Sequence, residues 1–401
     1  MLSPDTFALT ALLALLTALG PLAMDLYLPS LPAIERALAA STAHVQLTIS
    51  VYLIGFAVGQ IIYGPVSDRF GRKPVLGAAL GIFCVGTLVC SVAPTIDALI
   101  AARALQGAGA AGVIVLARAI VRDLYEGARA GRELSLMAAI MGVAPIVAPV
   151  IGGFTQTTFG WRFAFVVIFV AGIGAIGVVW RLLPETGRAN KPHGHPLIAL
   201  ARSYAVVAGS GSFLAYLGIA TASYAGLFAY ISGSSFVLQG LYGLSPLAFG
   251  LFYGVTSLGF IAGTLIGAQL VSRRGFDRTT GFGAGALAGG GLLLIAGVGF
   301  APSWAAAFAA PMMVYLAGLG LVLPLAIAAA LQPFPERAGA ASSLVGCVQQ
   351  TVGALVGAIV GHALGASAWP MVIGIAVPGC LTLLLWLATR GIRAHPPKPR
   401  T

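Results

Sequence analysis

The sequence predicts an all-α membrane protein with twelve transmembrane helices in two pseudo-symmetric six-helix bundles. Three observations carry that prediction: composition, the length of the apolar runs, and the placement of the basic residues. Hydrophobic residues make up 59% of the 401 and charged residues only 8%. A soluble domain usually carries about 25% charge, and a surface built from so little would leave large apolar patches in water. Most of the outer surface is therefore expected to face lipid. There the backbone must satisfy its own hydrogen bonds, which leaves helices or closed barrels. Barrel strands alternate in polarity over roughly ten residues, whereas this chain has long continuous apolar runs.

Those runs place spans at 7–29, 44–65, 75–93, 98–120, 134–156, 161–183, 204–231, 246–271, 280–300, 305–331, 339–362 and 369–390. Each is close to the 17–25 residues needed to cross a bilayer. The net charge is +11, and all of the 22 Lys and Arg except Arg36, Arg103 and Arg162 fall on one side of this layout or at span ends facing it. The positive-inside rule then puts both termini in the cytoplasm, as expected of a multi-pass protein of the cell inner membrane. The basic excess reads as topology, not as a nucleic-acid interface. The N-terminal apolar run lacks a basic leader and is long enough to be the first span.

The longest cytoplasmic connection, 184–203, holds Pro184, Gly187, Pro192, Gly194 and Pro196 and divides the spans six and six. The expected domains are an N-terminal bundle (1–183), a linker (184–203) and a C-terminal bundle with a cytoplasmic tail (204–401). A short internal repeat supports the division. Gly64 to Lys73 follows span two, and Leu270 to Gly275 follows span eight, with Gly71 matched to Gly275. Gly107, Gly109 and Gly112 superficially match a dinucleotide fingerprint, but they lie inside a span with no preceding strand, so close helix packing is the expectation. Cys84, Cys90, Cys347 and Cys380 all fall inside spans and imply no disulfide framework. The five His residues form no metal-like cluster, no catalytic triad stands out and no P-loop is present, so neither an enzyme, a metal site nor a cofactor is expected.

Among the 11 acidic residues, only Asp25 falls inside a span by these boundaries. A carboxylate in hydrocarbon is costly unless paired, protonated or wetted, and so is a functional candidate by default. Arg103 is the basic residue well inside a span, and Gln106 follows one turn later on the same face. The aromatic residues Tyr27, Tyr216, Tyr224, Phe228, Phe252, Tyr253 and Tyr315 are candidate substrate contacts, since an aromatic, largely apolar pocket suits amphipathic small molecules.

Four segments together resemble the major facilitator superfamily, and within it the twelve-span drug:proton antiporters. Gly64, Asp68, Arg69, Gly71, Arg72 and Lys73 match the signature between spans two and three. Leu99, Arg103, Gln106, Gly107 and Ala110 match the span-four motif linked to proton coupling. Pro145, Pro149, Gly152 and Gly153 match the span-five antiporter motif, with Ala148 where that motif usually has Gly. Met24-Asp25-Leu26-Tyr27-Leu28-Pro29, with Arg122-Asp123 after span four, is similar to the Bcr/CflA subgroup of bicyclomycin and chloramphenicol or florfenicol exporters.

The resemblance implies the major facilitator fold and alternating access around a site near mid-membrane. It implies export of small amphipathic drugs against inward proton flow by a monomer. Asp25, Arg103 and Gln106 would couple protons, with Asp25 and Arg103 pairing and unpairing as Asp25 titrates. The residues around Gly71 would form a conformational latch, with Asp68 facing a helix N-terminus. The neighbouring expectation in the same fold is a proton-coupled exporter of an endogenous metabolite, amino acid or sugar.

Overall fold

The computed structural model describes residues 7–125, 127–187, 196–300, 305–365 and 367–394. Part of the expected linker (188–195) and most of the C-terminal tail (395–401) lie outside them. Among the described residues, 12 helices are long and apolar enough to cross a membrane.

Spans one to six are α1 (Phe7–Asp25) with the short α2 (Leu31–Ala37), then α3 (Thr42–Phe70), α4 (Arg72–Val92), α5 (Ile96–Leu124), α6 (Gly127–Phe159) and α7 (Trp161–Leu182). A short helix α8 (Pro196–Ala208) precedes spans seven to twelve. These are α9 (Gly211–Ser235), α10 (Pro246–Arg274), α11 (Phe276–Phe300), α12 (Ala306–Leu331), α13 (Ala338–Ala363) and α14 (Trp369–Ala388), followed by α15 (Arg390–Ala394).

Local chemistry explains the boundaries that sequence periodicity misplaces. The seventh span begins at Gly211, not 204, because Gly209 and Ser210 break the chain and the Ser210 side chain caps the new helix through Phe213 N–H at 3.3 Å. Ser41 and Thr95 cap α3 and α5 in the same way. The first span is a broken helix. Pro29 has no N–H to give to the carbonyl of Asp25, and its ring would collide with that carbonyl in a continuous helix. So α1 stops at Asp25 and the chain passes through a tight turn at Leu28–Ser30 before α2.

The α-carbon contacts divide the chain into two compact units, Met1–Gly194 with Ser245–Leu251, and His195–Leu244 with Phe252–Thr401. In the first, α5 is the hub and packs on α3, α4 and α1, while α6 lies along α1 and α7 along α4. In the second, α9 packs on α12, α13 and α14, and α11 packs on α12 and α14. The pairing pattern repeats: spans three with four, one with five and three with six recur as nine with ten, seven with eleven and nine with twelve. Val170, Leu265, Ile359 and Leu384 are 61–67% exposed. Large apolar side chains this exposed fit lipid, not water.

The glycines of α5 explain its central place. A Cβ at Gly107 would collide with the Tyr52 backbone on α3, and one at Gly109 with Phe83 on α4. Two neighbours thus approach α5 to backbone contact on different faces, which is the small-residue packing of membrane helices.

Candidate functional site: a caged arginine beside a broken helix

Arg103 sits two turns into α5 and is fully buried. Its Nη1 donates to the Ala23 carbonyl at 3.2 Å and to Gln106 Oε1 at 2.6 Å. Gln106 Nε2 donates onward to Thr87 Oγ1 of α4 at 2.8 Å, and Thr87 donates to the Phe83 carbonyl. The guanidinium carbon lies 4.3 Å from the ring centre of Tyr52, 4.7 Å from Tyr27 and 6.0 Å from Phe165. Tyr52 donates its hydroxyl to the Gly20 carbonyl at 2.9 Å, and the Tyr27 and Thr48 hydroxyls share a hydrogen bond of 2.8 Å. Five helices, α1, α3, α4, α5 and α7, therefore meet at one cation.

Ala23 lies in the last turn of α1, where carbonyls lack helical partners and a positive charge is favoured. Desolvated cation–π contacts are worth about 2 kcal/mol or more, and a hydrogen bond to a charged group about 1.5–3 kcal/mol. Together these replace the carboxylate that a buried guanidinium ordinarily requires. The Nε and Nη2 of Arg103 meet no acceptor among the described residues.

Asp25 is the last residue of α1 and is 5% exposed. It forms neither an ion pair nor a side-chain hydrogen bond among the described residues. The expected Asp25–Arg103 pair is thus not made here, because Arg103 is already held by Ala23, Gln106 and the rings. The span runs on to Ala37, so Asp25 lies about twelve residues from its far end. Gly152 of α6 explains how this break is sheltered: a Cβ there would strike the Leu26 backbone. Pro145 and Pro149 sit inside α6 and withhold partners from the carbonyls of Met141 and Pro145. Gly153 packs against Pro246 and Leu247, in the Ser245–Leu251 segment that groups with the first unit.

The expectation that Asp25 alone among the acids falls in a span needs correcting. The helices that carry these acids run about one to two turns past the predicted boundaries. They take in Asp68 and Asp123 at their ends, and Glu133 of α6 accepts from Thr10 Oγ1 of α1 at 2.5 Å.

Between α3 and α4 of the first unit the expected loop shrinks to one residue. Gly71 (φ 93°) joins α3 to α4, with Gly64 one turn before Asp68 on α3. Arg72 donates to Asp68 Oδ1 at 2.5 Å, Ser67 Oγ at 2.6 Å and Asp123 Oδ2 at 2.8 Å. The carboxylate at the N-terminus of α4 is that of Glu185. It accepts from Arg72 N–H at 2.9 Å and Lys73 N–H at 3.1 Å. Within the first unit Asp68 meets a side chain, Arg72, and Glu185 takes the helix-capping place. Lys73 Nζ donates to the Trp180 carbonyl at 3.0 Å, whereas Arg69 lies over the ring of its neighbour Phe70. Gly275 (φ 77°) makes the matching one-residue join between α10 and α11. There Arg393, with its side chain 1% exposed, donates to Asp277 Oδ1 at 2.8 Å. Gly71→Ala is expected to cost about 1–3 kcal/mol, because the left-handed backbone is strained for any side chain and the new Cβ would lie 3.0 Å from Glu185 Oε2. Thermal melting of the purified protein checks it, and an unchanged midpoint would refute it.

The aromatic candidates separate by environment. Tyr27 belongs to the Arg103 cage. Tyr315 is fully buried among Gly226, Gly290 and Gly379, and Tyr253 stacks on Tyr230 at 5.1 Å. Tyr216 lies beneath Arg393. These four are engaged by rings, glycines or a guanidinium and serve packing in this structure, and Phe228 is buried as well, at 2% exposure. Tyr224 and Phe252 keep partial exposure. Tyr224 packs against Phe228 at 4.7 Å and donates to Gln350 Oε1 at 2.5 Å.

The model of the Major Facilitator Superfamily matches residues 13–355. The chain belongs to the Major Facilitator Superfamily. It is similar to a bicyclomycin resistance protein homolog of Haemophilus influenzae, at 30% identity over 98% of both chains. It is also similar to a chloramphenicol resistance protein of Pseudomonas aeruginosa, at 28% identity over 94% of this chain and 88% of that one. Among solved structures it resembles the xylose transporter XylE of E. coli in a partially occluded inward-open conformation. That match has a TM-score of 0.76 and 16% identity, and covers 98% of this chain and 99% of the other. This superfamily protein is a multi-pass membrane transporter of small molecules.

Proposed function

We propose that this transporter exports small amphipathic drugs of the phenicol or bicyclomycin type from the cytoplasm, driven by inward proton flow. It works as a monomer in the inner membrane, with both termini cytoplasmic. The observation that carries the reading is Asp25: a buried carboxyl at a helix break within a span, two residues after the carbonyl that holds Arg103. Two nitrogens of that same cation, Nε and Nη2 of Arg103, meet no acceptor among the described residues. Proton loss from Asp25 creates a charge that those nitrogens are placed to answer. Moving Arg103 toward Asp25 would loosen Ala23, Gln106 and the rings together, and so couple a proton to five helices. The resistance proteins to which the chain is similar support the drug class. The residues around Gly71, Arg72, Asp68 and Asp123 would serve as the inner latch, and Pro145, Pro149, Gly152 and Gly153 as the barrier beside the Asp25 break.

The test uses inverted vesicles from a pump-deficient bacterium, with a pH-sensitive dye reporting lumenal acidity. Adding chloramphenicol or bicyclomycin is expected to release protons from acidified vesicles that carry the protein and not from empty ones. Equal responses in both would remove the drug-antiport reading and leave export of an endogenous metabolite as the better one.

A further inference from the structure

The second unit carries an uncharged polar patch that packing alone leaves unfinished. Thr221, Tyr224 and Phe228 follow one another at helical spacings of three and four on α9 and therefore share a face. Opposite Tyr224, on α13, stands Gln350, which is 8% exposed, and Gln349, 7% exposed, is its neighbour in the chain. The Tyr224 hydroxyl occupies Gln350 Oε1 at 2.5 Å, which leaves the Gln350 amide to donate through its NH2 group. Gln349 Nε2 is buried and meets no acceptor among the described residues, and Thr221 Oγ1 is buried without a partner as well. Buried polar atoms are rarely left unsatisfied, and in a membrane-spanning unit the loss is not recovered from bulk water. These atoms are free to donate to an acceptor that enters the unit.

The chemistry of that acceptor follows from what surrounds it. Among the described residues of the second unit, the Lys, Arg, Asp and Glu side chains stand in α8 or at helix ends and their joins: Arg202, Arg273, Arg274, Asp277, Arg278, Glu336, Arg337, Arg390 and Arg393. A charged group beside Gln350 would find no counter-charge within the span. The Phe228 ring, 4.7 Å from that of Tyr224, gives the patch an apolar wall.

We propose that Gln349, Gln350, Tyr224 and Thr221 form a specificity subsite that receives a neutral hydrogen-bond acceptor of the substrate, a carbonyl, amide or nitro oxygen, against Phe228. The proposal rests on the drug-export reading and deepens it. It divides the work between the units: a titratable carboxyl and a cation in the first, and uncharged recognition in the second.

The experiment compares chloramphenicol, which is neutral and rich in acceptors, with tetraphenylphosphonium, a cation that makes no hydrogen bonds. Binding to the purified full-length protein is measured for wild type, Gln350→Leu, Gln349→Leu and Tyr224→Phe, and transport is measured in proteoliposomes. Gln350→Leu is expected to weaken chloramphenicol binding and raise its KM at least tenfold, and to change tetraphenylphosphonium binding less than twofold. Tyr224→Phe, the mildest change, is expected to weaken chloramphenicol about threefold and keeps the proposal testable if a leucine variant fails to fold. Equal losses for both compounds, or no loss for chloramphenicol, would overturn the subsite. Wild type that binds chloramphenicol in a Gln350-dependent way but moves no protons would sink the antiport reading and leave the subsite standing. Wild type that binds neither compound overturns both.

Discussion

Asp25→Asn is expected to disconnect drug movement from proton movement while leaving a folded protein. Asparagine has the size and shape of the aspartate it replaces. The break after α1 is set by Pro29 and the turn at Leu28–Ser30, not by the carboxyl. Asp25 makes no ion pair or side-chain hydrogen bond among the described residues whose loss would unfold the unit. What disappears is the ability to carry a proton. A potential of about 100 mV supplies roughly 2.3 kcal/mol per charge, and about 1.4 kcal/mol corresponds to tenfold in a concentration ratio. One coupled proton therefore supports a drug gradient of about fiftyfold. In energised proteoliposomes wild type is expected to approach that gradient, and Asp25→Asn to reach only equal concentrations, with drug exchange across unenergised membranes retained. Accumulation by the variant to the wild-type level would assign the carboxyl a structural role and move the proton site elsewhere, with Glu133 the next carboxylate to test.

The fold was legible because lipid imposes one rule along the whole chain. Twelve apolar runs bounded by glycine, proline and charge have few other solutions, and the one-residue joins at Gly71 and Gly275 are visible as a repeat. The break at Asp25 is also written in the sequence, since Pro29 is the residue that would have bonded its carbonyl. Partners across helices were not legible. Tyr52, Thr87 and Phe165 come from three different helices, and no spacing reveals that they converge on Arg103. An isolated basic residue and an isolated acid invite pairing on paper. The structure gives the cation instead to a helix end and two tyrosine rings, which only the packing of α1 and α3 on α5 brings into place. Glu185 and Arg393 read as surface and topology charges because each acts on an element distant in sequence. Among the aromatics, identity alone does not say which face of a helix a ring occupies. That is why Tyr315 and Tyr224 looked equivalent, though one is wedged between glycines and the other bonds a glutamine.

Arg103 separates stability from function more sharply than any other position. Arg103→Met fills much of the volume and removes a buried cation that has no carboxylate partner in this structure. The cost is two stranded acceptors, Ala23 O and Gln106 Oε1, at about 1–3 kcal/mol each, together with the lost ring contacts. Against it stands the relief of a desolvated charge, which is commonly of similar size. The melting midpoint is therefore expected to stay within about 5 °C of wild type. Arg103→Lys keeps the charge but compresses it to a point. An ammonium does not reproduce the flat guanidinium that lies between the Tyr27 and Tyr52 rings while bonding both acceptors, so this variant is expected to melt below the methionine one. Transport should follow a different order. If Arg103 answers the charge of Asp25, the stable Met variant loses at least tenfold in coupled transport and the less stable Lys variant keeps more of it. If Arg103 is only a rivet, activity tracks the melting midpoint and the Met variant is the better transporter. The two measurements on the same pair of proteins give opposite rankings under the two roles, so the ranking decides between them without reference to the absolute rates.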